Sequence, residues 1–196
     1  MCAVPRTGSV IPFDRDAAQT FQAGELLVDD LAVHRWFRCH DRGGEFSRDD
    51  LELMVADLAG RPDLWSHLIR HSPDERYYVR LLLTDHVEIW LICWCPSQDT
   101  GFHDHAGSRG AVGVVRGAVS ETLLAVGQPL GPIVRYEAGG SFSFGAAHIH
   151  DVQHVDGDPA ASLHVYSPPL GEMGFYEVAS DGTLRRRSGE YREEFC

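Results

Sequence analysis

Hydrophobic and polar positions change period once along this chain, near Pro73. Before that point the repeat is helical. Over 23–40 the apolar residues Leu26, Leu27, Leu31, Val33, Trp36 and Phe37 approximate one helix face, and Gly43-Gly44 interrupts it. Leu51, Met54, Val55 and Leu58 then fall at i, i+3, i+4 and i+7. Ser47 and Asp50 ahead of them have capping-box spacing, and Gly60 and Pro62 stop the run, which makes this the best-signalled helix. A third short helix is predicted over 62–70, with Pro62 in its first turn and Leu64, Trp65, Leu68 and Ile69 as its buried face. Residues 1–20 carry Pro5, Gly8 and Pro12 with no sustained period and read as an irregular arm.

After Pro73 the chain breaks into short β-type runs at 77–84, 87–95, 111–115, 118–126, 133–136, 141–144, 149–155, 161–166 and 174–178. Turn residues separate them, among them Arg116-Gly117, Gly139-Gly140 and Asp181-Gly182. Evenly spaced short strands without helices between them predict a mainly β fold, an antiparallel jelly-roll barrel behind a small N-terminal helical segment. A single domain over 1–196 is expected, with arm and helices in 1–73 and the barrel in 74–196.

Composition narrows the function classes. The 29 acidic against 17 basic residues give a formal charge of -12, which disfavours nucleic acid or an anionic membrane surface as a partner and leaves a small molecule compatible. Every basic residue is arginine, which excludes a lysine Schiff base or a P-loop lysine. Cys2, Cys39, Cys93, Cys95 and Cys196 are odd in number and scattered, and the start lacks a signal-peptide pattern, so a reduced cytoplasmic setting is expected. No apolar run reaches about 18 residues, so no membrane span is expected. Cys93 and Cys95 lack a second pair to complete a zinc site and read as strand packing. His67 and His71, four apart without a third ligand, read as a solvated helix face. The oligomeric state stays open, with a monomer compatible.

The candidate chemistry lies in histidine. On a strand, side chains at i and i+2 leave the same face, so His103 and His105 can point at one centre. That is a metal half-site, and imidazole suits Fe, Zn, Cu, Ni or Mn alike. A second cluster, His148, His150 and His154, offers a third ligand, and spacing alone does not separate His148 from His150. Arg80 stands in an otherwise apolar strand, where a guanidinium is expensive unless it meets an anion. Tyr78 shares its strand face. Ser162, His164 and Tyr166 alternate along another strand and can relay hydrogen bonds.

Taken together, Tyr78-Val-Arg80, Cys93-Trp94 followed nine residues later by His103-Asp-His105, His150-Asp-Val, and Ser162-Leu-His164-Val-Tyr166-Ser-Pro-Pro169 resemble the thiol dioxygenases of the cupin superfamily, most closely the bacterial cysteine dioxygenases. The resemblance covers about half the chain, roughly 75–178. It implies a cupin barrel with Fe(2+) on His103, His105 and His150, the last matched by a His-x-Val pattern. His148 stays open, because Gly145 to His148 has the generic cupin spacing, and His154 stands where the family usually has asparagine. Residues 106–110 lack the glutamate ligand of the general cupin pattern, in keeping with a three-histidine site.

Further roles come from the same resemblance. Arg80 pairs with the substrate carboxylate, Tyr78 adds a hydrogen bond near it, and Trp94 walls the cavity. The Tyr166 hydroxyl steers substrate and dioxygen, with His164 and Ser162 behind it, and a cis bond is expected in Ser167-Pro168-Pro169. The implied reaction is oxidation of L-cysteine by O2 to cysteine sulfinic acid. The alternatives are another small thiol such as 3-mercaptopropionate, or a metal-binding cupin without catalysis. Animal cysteine dioxygenases carry a cysteine that cross-links to the active-site tyrosine at the place of Gly110, so Tyr166 should be unmodified. The 3-mercaptopropionate enzymes have glutamine at the place of Arg80 and arginine at that of Phe175, and both positions here favour cysteine.

Overall fold

The second helix forms where its pattern demands. Ser47 Oγ accepts from the Asp50 backbone N–H at 3.2 Å while the Asp50 carboxylate accepts from the Ser47 N–H, so the capping box closes in front of α2 (Arg48–Ala59). α2 buries Leu51, Met54, Val55 and Leu58, and α1 (Leu27–Phe37) precedes it. The computed structural model describes residues 27–155, 157–171, 173–178 and 184–189; the arm at 1–20, Cys2, Cys196 and the Asp181-Gly182 turn lie outside these. The helix expected over 62–70 is instead two 3-10 turns, Pro62–Leu64 and Ser66–Leu68. Trp65 breaks it at φ -141°, because its indole N–H is committed to the Leu58 carbonyl at the end of α2, 2.9 Å away. Tertiary anchoring overrides a weak local preference there. His71 consequently lies off any helix, bonded to the Ala160 carbonyl.

Eleven strands follow among the described residues: β1 (Tyr78–Leu83), β2 (Glu88–Trp94), β3 (Phe102–His103), β4 (Arg109–Arg116), β5 (Ala118–Leu123), β6 (Ile133–Glu137), β7 (Ser141–Phe144), β8 (His150–His154), β9 (Ala160–Ser167), β10 (Met173–Val178) and β11 (Leu184–Gly189). They form two antiparallel sheets, ordered β1-β2-β9-β4-β7 and β11-β10-β3-β8-β5-β6. The fold is the expected jelly-roll barrel.

Strand β9 shows how the barrel is built. Every one of its residues is buried, so its two faces differ in chemistry rather than exposure. Ala161, Leu163 and Val165 join the helices and Ile89, Leu91 and Cys93 of β2 in one core. Ala160 and Tyr166 face the other way, into a second core with Trp90, Trp94, Val112, Val114, Phe142 and Phe144. Ser162 and His164 share that inner face by alternation. A bulge between Arg80 and Leu82 in β1 turns both Leu81 and Leu82 toward the helices while leaving Tyr78 on the inner core. Cys93 and Cys95 are buried and unpaired, as strand packing requires.

Candidate metal centre

Three imidazoles converge on the inner face. Ligand-capable nitrogens of His103, His105 and His150 all lie within 4.8 Å of one another, and the ring centres are 4.7–4.9 Å apart. His103 and His150 are direct cross-strand partners of β3 and β8. His105 lies past the end of β3, where Ala106 turns with φ +53°. Asp104 between the two histidines does structural work. Its carboxylate accepts from the Ala106 and Gly174 N–H groups, the Tyr176 hydroxyl and Arg186 Nε, tying this turn to β10 and β11.

Hydrogen bonding orients two of the three rings. His103 Nδ1 donates to the Gly101 carbonyl at 3.0 Å, where Gly101 turns the chain with φ +62°. His150 Nδ1 donates to Glu121 Oε1 at 2.7 Å. Both rings therefore keep an Nε2 lone pair for another partner. The His105 ring, almost wholly buried, has no hydrogen-bond partner at either nitrogen. A buried, orphaned imidazole beside two others fits a metal ion, which would satisfy all three lone pairs at once. Burial lowers the pKa of His103 to about 4, and burial with the neighbouring imidazoles holds His105 and His150 well below 6.5. Metal binding needs the resulting neutral form.

His148 adjoins the triad at His150, with ring centres 4.8 Å apart, but does not group with His103 and His105. It sits in the turn before β8 rather than on the strand face with His150, and its Nε2 is 2.8 Å from the same Glu121 oxygen. Glu121, His148 and His150 also cluster tightly enough to hold a metal. Their separations of 2.7 and 2.8 Å, however, are hydrogen-bond lengths, shorter than the roughly 3 Å that two ligands on one ion would keep. The Phe144 ring lies between His148, 4.8 Å away and parallel, and His105, 4.5 Å on the other side. His154, at the end of β8, reaches the Asp158 carbonyl instead.

A hydrogen-bond chain runs along β9 beside the triad. Trp94 Nε1 can only donate, and Ser162 Oγ accepts at 2.9 Å. The fully buried Ser162 hydroxyl then has His164 Nε2, 2.8 Å away, as its acceptor. Neutral His164 carries its hydrogen on Nδ1 and donates to the Tyr166 oxygen at 3.1 Å. The Tyr166 O–H is thereby left to donate elsewhere. Burial keeps His164 neutral, with its pKa lowered to about 3, and burial together with the Glu88 charge raises that of Tyr166, so the phenol stays protonated. Tyr166 stacks on His105 with ring centres 5.4 Å apart, which sets its ring against the triad.

The remaining expected residues are placed as follows. Tyr78 packs edge-on against Trp90 at 6.0 Å, and Trp94 is fully buried on the inner face. Arg80 lies over Trp90 at 5.4 Å with Nη1 3.6 Å from Glu88 Oε1. Phe175 is paired with His103 across β10 and β3 and is exposed. Gly110 pairs directly with Tyr166, and a Cβ on it would overlap the Phe144 ring, 2.7 Å from Cε2. The bond between Ser167 and Pro168 is cis. Sequence reasoning missed Glu88, Glu121, Phe144 and Arg76. Glu88 had a signal as the one charge in an apolar run.

A jelly-roll barrel with converging histidines on its inner face defines a metal-site cupin. Within that class, the model of the family "Cysteine dioxygenase type I" matches residues 47–178, well over half the chain, and the chain belongs to this metal-dependent dioxygenase family. Cysteine dioxygenase type 1 of Danio rerio is 26% identical over 136 residues, 62% of this chain and 66% of that protein. The Homo sapiens protein of the same name is 24% identical over 141 residues, 65% of this chain and 68% of its own length. The chain thus spans about two thirds of these relatives. Among solved structures, a Klebsiella pneumoniae protein with a double-stranded beta-helix domain is similar at 16% identity and TM-score 0.46, over 64% of this chain and 93% of that one. A cupin superfamily protein from Desulfitobacterium hafniense is similar at 14% identity and TM-score 0.45, over 53% and 86%. No described helix is long and apolar enough to cross a membrane.

Proposed function

We propose that this chain is an Fe(II)-dependent thiol dioxygenase that converts L-cysteine and O2 to cysteine sulfinic acid, with His103, His105 and His150 as metal ligands. The observation that carries the reading is the orphaned, buried His105 imidazole in contact with His103 and His150, in a chain of the cysteine dioxygenase family. Ferrous iron, when bound, supplies the redox centre and open coordination positions at which a thiol and dioxygen meet. The protein contributes placement and proton control. Three neutral ligands leave the metal charge uncompensated, which favours the thiolate form of an entering thiol. The Tyr166 hydroxyl, held by His164, Ser162 and Trp94, donates toward the substrate and dioxygen while remaining a neutral phenol. Tyr78 and Trp94 confine the substrate, and its carboxylate requires a cation on the same side, for which Arg80 and Arg76 are available. Overall RSH + O2 gives RSO2H, so both oxygen atoms end on sulfur and no co-reductant is consumed.

The test is oxygen uptake by anaerobically Fe(II)-loaded protein on addition of L-cysteine, 3-mercaptopropionate or cysteamine, with the product identified by mass. Sulfinate from L-cysteine at the highest turnover is the expected result. Tightly bound iron without thiol-dependent oxygen uptake would leave a non-catalytic cupin.

A further inference from the structure

The strand that carries His103 is too short to hold its own place. β3 has two residues, with one register pair to β8, His103 to His150, and two to β10, His103 to Phe175 and Phe102 to Tyr176. His105 lies past its end, in the turn where Ala106 has φ +53°. Backbone pairing therefore leaves the spacing of the two imidazoles under-determined, and the side chain between them supplies the missing constraint.

Asp104 is that side chain, and its two oxygens serve different parts of the chain. Oδ1 accepts from the Ala106 N–H at 3.0 Å, closing the turn that carries His105, and from the Gly174 N–H at 3.1 Å. Oδ2 accepts from the Tyr176 hydroxyl on β10 at 2.7 Å and from Arg186 Nε on β11 at 3.1 Å. The Asp104 N–H donates in turn to the Gly174 carbonyl at 2.8 Å. Arg186 is itself held, with Ser188 Oγ 2.7 Å from its Nη1 and the Tyr176 ring centre 6.0 Å from its Cζ. Gly174 is required by the same close approach, since a Cβ there would overlap Asp104 Oδ2 and Arg186 Nε. β11 lies beyond residue 178, where the family match ends, so the arginine of this clamp comes from outside the matched stretch.

We infer that Asp104 and Arg186 are positioning residues for the metal centre: the β10–β11 hairpin, acting through the Asp104 carboxylate, fixes the separation of the His103 and His105 rings and so sets the affinity for the metal. The inference rests on the ligand set proposed above. By linkage the effect runs both ways, and a bound metal protects the hairpin.

Anaerobic competition for Fe(II) between the full chain and a chromogenic chelator, well below the melting temperature, reads the affinity. Asp104→Asn keeps an oxygen for the turn but loses the charge that faces Arg186, and should weaken Fe(II) binding about tenfold. Arg186→Gln alters neither the turn nor a ligand and should weaken it about 3- to 10-fold, with Arg186→Lys recovering part of the loss. Gly174→Ala should match Asp104→Asn, because it displaces the clamp without changing its members. Arg187→Gln removes the exposed Arg187–Glu177 pair from the same hairpin and should stay within about twofold of wild type. Lower melting temperatures with unchanged Fe(II) affinity in Asp104→Asn and Arg186→Gln would make the clamp merely structural and overturn the assignment. Hydrogen exchange of peptides from 173–189 gives a second readout. Fe(II) should slow exchange there in the wild type and slow it less in Arg186→Gln; exchange in the wild type that ignores Fe(II) would refute the coupling even if Asp104→Asn fails to fold. If the wild type binds no Fe(II), or His105→Ala binds it as tightly, the ligand set fails as well. Loss of Fe(II) in His105→Ala with wild-type affinity in the clamp variants removes only the role of Asp104 and Arg186.

Discussion

Replacing Glu121 should release the metal. One of its oxygens takes hydrogens from both His150 Nδ1 at 2.7 Å and His148 Nε2 at 2.8 Å, and the other accepts from the Tyr136 hydroxyl at 3.5 Å. The carboxylate thereby fixes the tautomer of His150 and adds electron density to its ring. Loss of such a partner typically weakens metal binding about 10- to 100-fold, or about 1.4–2.7 kcal/mol. Glu121→Gln keeps an oxygen within reach of His150 but loses the charge, so it should fall near the tenfold end. Glu121→Ala also leaves the buried His150 N–H without an acceptor, at about 1–3 kcal/mol, so it should fall near the hundredfold end and lower the melting temperature of the metal-free protein. His148→Gln should stay within about threefold of wild type, since His148 shares the carboxylate but sits behind Phe144 from His105. Equilibrium dialysis against a competing chelator, with metal content measured afterwards, gives these affinities directly. Wild-type affinity in Glu121→Ala, or a larger loss in His148→Gln than in His150→Gln, would refute the proposed ligand set.

Three further outcomes follow from the inner face. His164 has its pKa lowered from 6.5 to about 3 by burial, so its neutral form stabilises the fold above about pH 6.5 and that contribution fades as the pH falls toward 3. Urea unfolding of metal-free protein should show a loss of about 2 kcal/mol between pH 7 and pH 5 from this residue, absent in His164→Gln; identical pH slopes would contradict it. Ser162→Ala removes the acceptor of the buried Trp94 N–H and should cost about 1–3 kcal/mol in the same assay. Because the Phe144 ring fills the space a Cβ at Gly110 would need, Gly110→Cys should destabilise by about 1–3 kcal/mol, with partial recovery in Gly110→Cys/Phe144→Leu; the wild-type intact mass should equal that of the sequence, with no thioether on Tyr166.

How much of this was legible in the sequence depends on whether the information is local. The α2 capping box and the period-2 runs rest on neighbours within a few residues, and they recur in the structure nearly as read. The Ser162, His164 and Tyr166 alternation survived for the same reason, since one strand carries all three. Two strands escaped. β3 is only two residues long, and β11 is a run of arginines without alternation, visible only as the partner that continues β10. Choosing between His148 and His150 required knowing that β8 begins at His150 and that Glu121, 29 positions away, reaches both rings. Arg80 carries the same lesson. Spacing favoured Arg80 because the apolar strand around it left its charge without an evident partner, yet its partner stands across the hairpin on β2, where a lone glutamate interrupts an apolar run. A buried charge in a strand therefore calls first for a search of the facing strand, and the 3.6 Å pair found there still leaves guanidinium N–H groups of a partly exposed arginine for a ligand.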